Sequence, residues 1–133
     1  PGEDGRPLDR LTADRMTHPV NGDVINLTGV RLEYGLGTPR PWDLRADAGV
    51  VNLGWRTVLL EGNVVLDSRP AVGEPARLMA PDMLVETEAQ QARTAGDVTL
   101  ELGAETLSGT GMVADLMVGQ VQLQSRVHGR FLP

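Results

Sequence analysis

The sequence predicts an all-β domain in which antiparallel hairpins stack into two facing sheets. Three observations carry this. Apolar residues recur at every second position in several separate runs, which is the period of a strand with one wet and one dry face. The chain has 16 glycines and 9 prolines, and they fall at the short intervals expected of turns between strands. No segment carries an apolar stripe wide enough for a buried helix face. At 133 residues, 41% hydrophobic, the whole span 1–133 is expected to form one domain with a real core.

Taken in order, Ile25 and Leu27 share one phase, and Val30, Leu32 and Tyr34 share the other. The slip falls at Gly29, where a bulge would re-aim the strand. Val58, Leu60, Val64 and Leu66 then keep one phase around Gly62. Glu86 to Arg93 reads as strand-turn-strand, with one short helix as the alternative, and Thr94-Ala95-Gly96-Asp97 is expected to close it as a turn. Val98, Leu100 and Leu102 alternate with Thr99 and Glu101. Met112, Ala114 and Leu116 make a further short strand after a turn at Gly109-Thr110-Gly111. The last run is the clearest. Val121, Leu123, Val127 and Phe131 alternate with Gln120, Gln122, Gln124, Arg126, His128 and Arg130, while Ser125 and Gly129 complete the inward set. A weak echo links "VINLTGVRL" from Val24, "TVLLEGNVVL" from Thr57 and "AETLSGTGMVADL" from Ala104. Each reads apolar pair, glycine, apolar pair, at spacings too uneven for a solenoid.

Charge and composition narrow the function. Eighteen acids against twelve bases leave a net charge of -6, and a nucleic-acid binder needs a basic face. All twelve bases are arginine, so there is no lysine nucleophile. The absence of cysteine removes disulfides and thiolate metal sites. No run approaches the ~18 apolar residues of a membrane span. The chain begins at Pro1 without a signal-type segment, as expected of a piece of something longer or a processed form. No catalytic residue, metal ligand set or cofactor motif stands out. His18 and His128 are isolated, the acids Asp43, Asp47, Glu86 and Glu88 mark no catalytic pair, and no G-x-S-x-G or phosphate loop is present. Aromatic content is only 3%, from Trp42, Trp55, Tyr34 and Phe131. Inward positions are mainly small or aliphatic, which suits either a packed core or a groove for an apolar ligand such as an acyl chain.

Five segments together resemble the LptC family, lipopolysaccharide export system proteins, over about Gly5 to Phe131. They are "LDRLTADRMTH" near the start, "PWDLRADAGVV" from Pro41, "VLLEGNVVL" from Val58, "LVETEAQQARTAGDVTL" from Leu84 and "GTGMVADLMVGQVQLQSRVHGRF" from Gly109. No one segment is decisive; their order and spacing are the signal. LptA-like bridge proteins share the pattern of sheets, and the Trp42 segment and the ending after Gly111 favour LptC. The resemblance implies an open, V-shaped β-jelly roll of two facing antiparallel sheets in the periplasm, without enzymatic activity. It also implies an inner-membrane anchor helix that this chain lacks. Lipid A acyl chains of lipopolysaccharide would lie between the sheets, against Leu60, Val64, Leu66, Leu84, Val98, Leu100, Met112, Leu116, Val121 and Leu123. Cargo would come from LptF/LptG-type transporter jelly rolls at the opening strand, around Leu8 to Met16. It would leave to an LptA-type bridge protein at the closing strand, through Val121, Leu123, Val127 and Phe131. That strand holds neither proline nor lysine, two common devices for blunting a sheet edge. Arg45, Arg56 and Arg77 are candidates to meet phosphates at the rim, or else ordinary solubilising arginines. A structural β-rich module that binds no lipid is the competing reading.

Overall fold

The computed structural model describes residues 10–20, 22–35, 41–54, 56–68 and 74–130. Eight strands follow one another: β1 Arg10–Thr17, β2 Val24–Tyr34, β3 Trp42–Asn52, β4 Thr57–Ser68, β5 Ala76–Glu86, β6 Gln91–Leu102, β7 Glu105–Asp115 and β8 Gln120–Arg130. They pair antiparallel in the order β1 to β8, as one continuous sheet. The expected all-β jelly-roll class holds. The two layers, however, are made from one sheet rather than from two separate ones.

The reason is a crease that crosses the strands near their midpoints. Pairing register shifts between Arg45 and Ala48 in β3, Glu61 and Val64 in β4, Met79 and Leu84 in β5, Thr94 and Asp97 in β6, and Ser108 and Thr110 in β7. In β2 the register runs through unbroken, and the side-chain phase still slips at Gly29, from buried Leu27 to buried Val30. Bulges of this kind bend a strand and sharpen its twist. Aligned from strand to strand, they fold the sheet along a line.

Burial shows what the fold accomplishes. Leu32, Leu44, Leu60, Val64 and Leu66 are each 0% exposed. A single flat sheet leaves both faces open, and the described residues contain no helix and no second sheet to cover one. The half-strands on either side of the crease therefore cover each other. One apolar cluster unites Val30, Leu32, Leu44, Val64 and Leu66 from one half with Leu27, Val58, Leu60, Met83, Val85 and Met112 from the other.

Two expectations from local composition change accordingly. Thr94-Ala95-Gly96-Asp97 lies inside β6 as its share of the crease. The same holds for Gly109-Thr110-Gly111 inside β7. Glu86 to Arg93 is strand-turn-strand, with the turn at residues 87–90. Hydrogen bonds stitch neighbouring hairpin ends together, from Leu53 N to Asp23 O, Thr87 N to Arg56 O and Leu116 N to Gln90 O.

Gly62 shows why the crease needs particular residues. Its φ is 85°, and a Cβ there would stand 2.8 Å from Asp47 Oδ2. Asp47 also accepts a 2.8 Å hydrogen bond from Asn63 Nδ2, in the adjoining crease position. Gly62→Val is expected to cost on the order of 1–3 kcal/mol from backbone strain and displacement of the carboxylate. Urea unfolding should show a lower midpoint with an unchanged m-value. An unchanged midpoint would mean that the crease tolerates a side chain there.

Candidate functional site

Because the crease crosses the strands, the apolar cluster it encloses runs from β1 towards β8. The lining is deepest at the central strands. Leu60, Val64, Leu66 and Met112 are fully buried, and Val98, Leu100 and Leu116 nearly so. Towards β8 the seal weakens: Val121 and Leu123 are only half-buried and pack on the edge of the cluster. The interior is thus closed in the middle and looser at its end strands.

Leu84 departs from this set. It alternates with buried Met83 and Val85, so its side chain lies on the opposite, outer face. There it pairs with Leu59 and Arg93, and with them lines an open depression of about 580 Å³. The bulge between Met79 and Leu84 moves the strand's parity by one residue. Met83 takes the inward place expected of Leu84. Met83 and Leu44 belong to the interior without having been singled out from the sequence. For Leu44 the signal was its period with Trp42 and Ala46.

The two edges differ. Among the described residues, β1 is paired only with β2, and β8 only with β7. Val127, in β8, is 51% exposed. Its neighbour Arg126 takes a φ of 50°, so the closing edge is bent at the level of the crease. Leu8 of the opening strand, Phe131 of the closing edge and Trp55 lie outside the described residues.

The outer face carries an ionic ladder across the first five strands. Arg10 meets Glu33 at 3.5 Å, Arg31 meets Asp43 at 2.7 Å, and Arg45 meets Asp67 at 2.9 Å. Arg77 reaches the other oxygen of Asp67 at 2.8 Å. The Asp67 carboxylate holds the Arg77 guanidinium above its ordinary value, through that hydrogen bond first and charge second. Arg56 pairs with Glu88. The three arginines considered for phosphate recognition are therefore engaged by the protein's own acids. Among the described residues no cluster of His, Cys, Asp or Glu is arranged to hold a metal ion, and no helix is long and apolar enough to cross a membrane.

Tyr34 stands at one end of the lining, beside Trp42 on the next strand. Burial pushes its phenol well above the ordinary value. A raised folded-state value means stability that is complete below the unfolded tyrosine's pKa of about 10 and is lost as pH rises past it. Tyr34 is the chain's only tyrosine. Phenolate absorbance is therefore expected to rise in one step with loss of the folded circular dichroism signal. A phenol that titrates near its ordinary value in a still-folded chain would show that water reaches it.

A family model for lipopolysaccharide-assembly, LptC-related proteins matches residues 2–132. The chain belongs to the LptC-related family. That membership gives it a role in lipopolysaccharide transport. No curated protein sequence matches it closely enough to count as a relative. Among solved structures, LptH superposes with a TM-score of 0.76 at 13% identity, covering 100% of both chains. LptH is the LptA homologous periplasmic component of the lipopolysaccharide transport device of Pseudomonas aeruginosa. At that identity the likeness is one of fold, and it extends the creased β-jelly roll from this LptC-related chain to an LptA-type one.

Proposed function

We propose that this LptC-related chain is a non-enzymatic periplasmic carrier that moves lipopolysaccharide along the space between the two halves of its sheet. Lipid A acyl chains lie against Leu60, Val64, Leu66, Val98, Leu100, Met112, Leu116, Val121 and Leu123. Cargo enters at the β1 edge from the jelly rolls of an LptF/LptG-type transporter. It leaves at the β8 edge to an LptA-type bridge protein.

One observation supports this most: an aliphatic lining runs parallel to the crease between two edge strands that, among the described residues, are each paired on one side alone. A strand added to either edge prolongs the sheet by main-chain hydrogen bonds. If the added protein is creased at the same level, the enclosed space continues into it. The bend at Arg126 favours such a partner over a straight strand.

The energetics agree. Each methylene kept from water is worth about 0.8 kcal/mol, so a chain of about twelve carbons would cost on the order of 10 kcal/mol to carry bare. A carrier must therefore offer unbroken apolar cover. The lining is fully buried at the central strands, so the halves must part to admit a chain, exchanging one set of apolar contacts for another. A net charge of -6 gives phosphorylated head groups little attraction, which suits cargo that has to leave again.

Site-specific photo-crosslinking tests the proposal. A photoreactive residue at Leu100 or Met112 is expected to yield lipopolysaccharide adducts, and one at exposed Gln122 none. Equal labelling at all three positions, or none at any, would remove the lipid from the interior and favour a structural module.

A further inference from the structure

Among the described residues, the apolar interior holds two buried polar atoms without a hydrogen-bond partner. Tyr34 and Trp42 occupy directly opposed positions on β2 and β3. They are 2% and 5% exposed and belong to the apolar cluster. The two atoms are the Tyr34 hydroxyl and Trp42 Nε1. Orphaned buried donors are rare, since each forfeits the hydrogen bond that water would have given it. Phenylalanine would fill similar space without that penalty.

Their placement points to a shared acceptor. Side chains at opposed positions have Cβ atoms about 4.5–5.5 Å apart, so two donors on one face can converge. The next inward row, two residues along each strand, is Leu32, Leu44, Leu66 and Leu78, all essentially unexposed. The pair of donors thus stands at the head of an aliphatic run. A carbonyl oxygen has two lone pairs and can accept from both. Burial keeps the Tyr34 phenol protonated and hence a donor.

We propose that Tyr34 and Trp42 form a polar anchor for the ester or amide carbonyl at the root of an acyl chain whose tail lies along the neighbouring leucines. This rests on the reading of the interior as an acyl-chain site. It adds that the interior distinguishes acyl chains from plain hydrocarbon.

The test measures displacement of anilinonaphthalene sulfonate from the purified domain by methyl decanoate and by an alkane of matched length. The wild-type chain is expected to prefer the ester. Tyr34→Phe should reduce that preference about fivefold, the worth of one net hydrogen bond, and leave alkane affinity unchanged. The same variant should raise the ligand-free melting temperature by a few degrees, because an unpaired hydroxyl has been removed. Trp42→Phe should also lower the ester preference, whatever its effect on stability. The anchor alone is overturned if the alkane competes and the ester gains nothing over it. It is equally overturned if Tyr34→Phe weakens both probes alike. If neither probe displaces the dye from wild type, the anchor and the acyl-chain site fall together.

Discussion

Leu100→Arg is expected to lower acyl-probe uptake by more than tenfold while the domain remains folded. Leu100 lies in β6 between Leu78 and Leu107, on the inward face, and is 8% exposed. That small opening matters. An arginine stem can cover apolar surface while its guanidinium reaches towards water, so the substitution need not bury a bare charge. Cargo meets a different situation, because an acyl chain lying there must either bury the guanidinium or give up contact. Losing cover over even three methylenes costs about 2–3 kcal/mol, near a hundredfold in affinity. Gln122→Arg, on the exposed closing strand, is the control and should bind the probe like wild type. Titration of both variants with a fluorescent acyl chain decides the matter, with circular dichroism to confirm folding. Equal binding by the two would place the site elsewhere.

The second large effect concerns the closing edge. Val127→Pro is expected to weaken binding of a purified LptA-type bridge protein at least tenfold and to leave acyl-probe uptake nearly intact. Val127 is half exposed on a strand that, among the described residues, is paired only with β7. Proline deletes a backbone donor and fixes φ, and edge strands are where a fold tolerates it. A docking strand must pair continuously, so one lost position interrupts its ladder. Val127→Lys supplies an independent check, since a charge on an edge strand opposes pairing without touching the backbone. Calorimetric titration of each variant against the bridge protein measures the effect. Unchanged affinity in both would mean that the partner docks somewhere other than β8.

The arrangement also bears on how much could be read before the fold was known. Val58, Leu60, Val64 and Leu66 announce an inward face by period alone, and all four are buried. The slip at Gly29 is equally legible, because two apolar runs change phase on either side of it. The weak echo of three segments now has a physical source. Its glycines, Gly29, Gly62 and the Gly109–Gly111 pair, all lie on the crease. What misled was local chemistry that serves two purposes. Thr94-Ala95-Gly96-Asp97 has the composition of a turn, and bulges recruit the same residues. The resemblance implies an inward Leu84, but in β5 the buried positions pass from Leu78 and Ala80 to Met83 and Val85, a change of parity at the register shift that leaves Leu84 outward.

The chain's own pattern determined that it forms strands, that their dry faces are aliphatic and almost free of aromatic rings, and that its closing edge lacks proline and lysine. These follow from side-chain chemistry at each position and from a period of two. Only the tertiary structure decided that one sheet supplies both layers, that Met83 rather than Leu84 faces inward, that Asp67 takes Arg45 and Arg77 while Glu88 takes Arg56, and that the Tyr34 hydroxyl and Trp42 Nε1 are buried without a partner among the described residues. The physical reason is that each depends on register between strands distant in sequence, where a single bulge redirects every side chain beyond it.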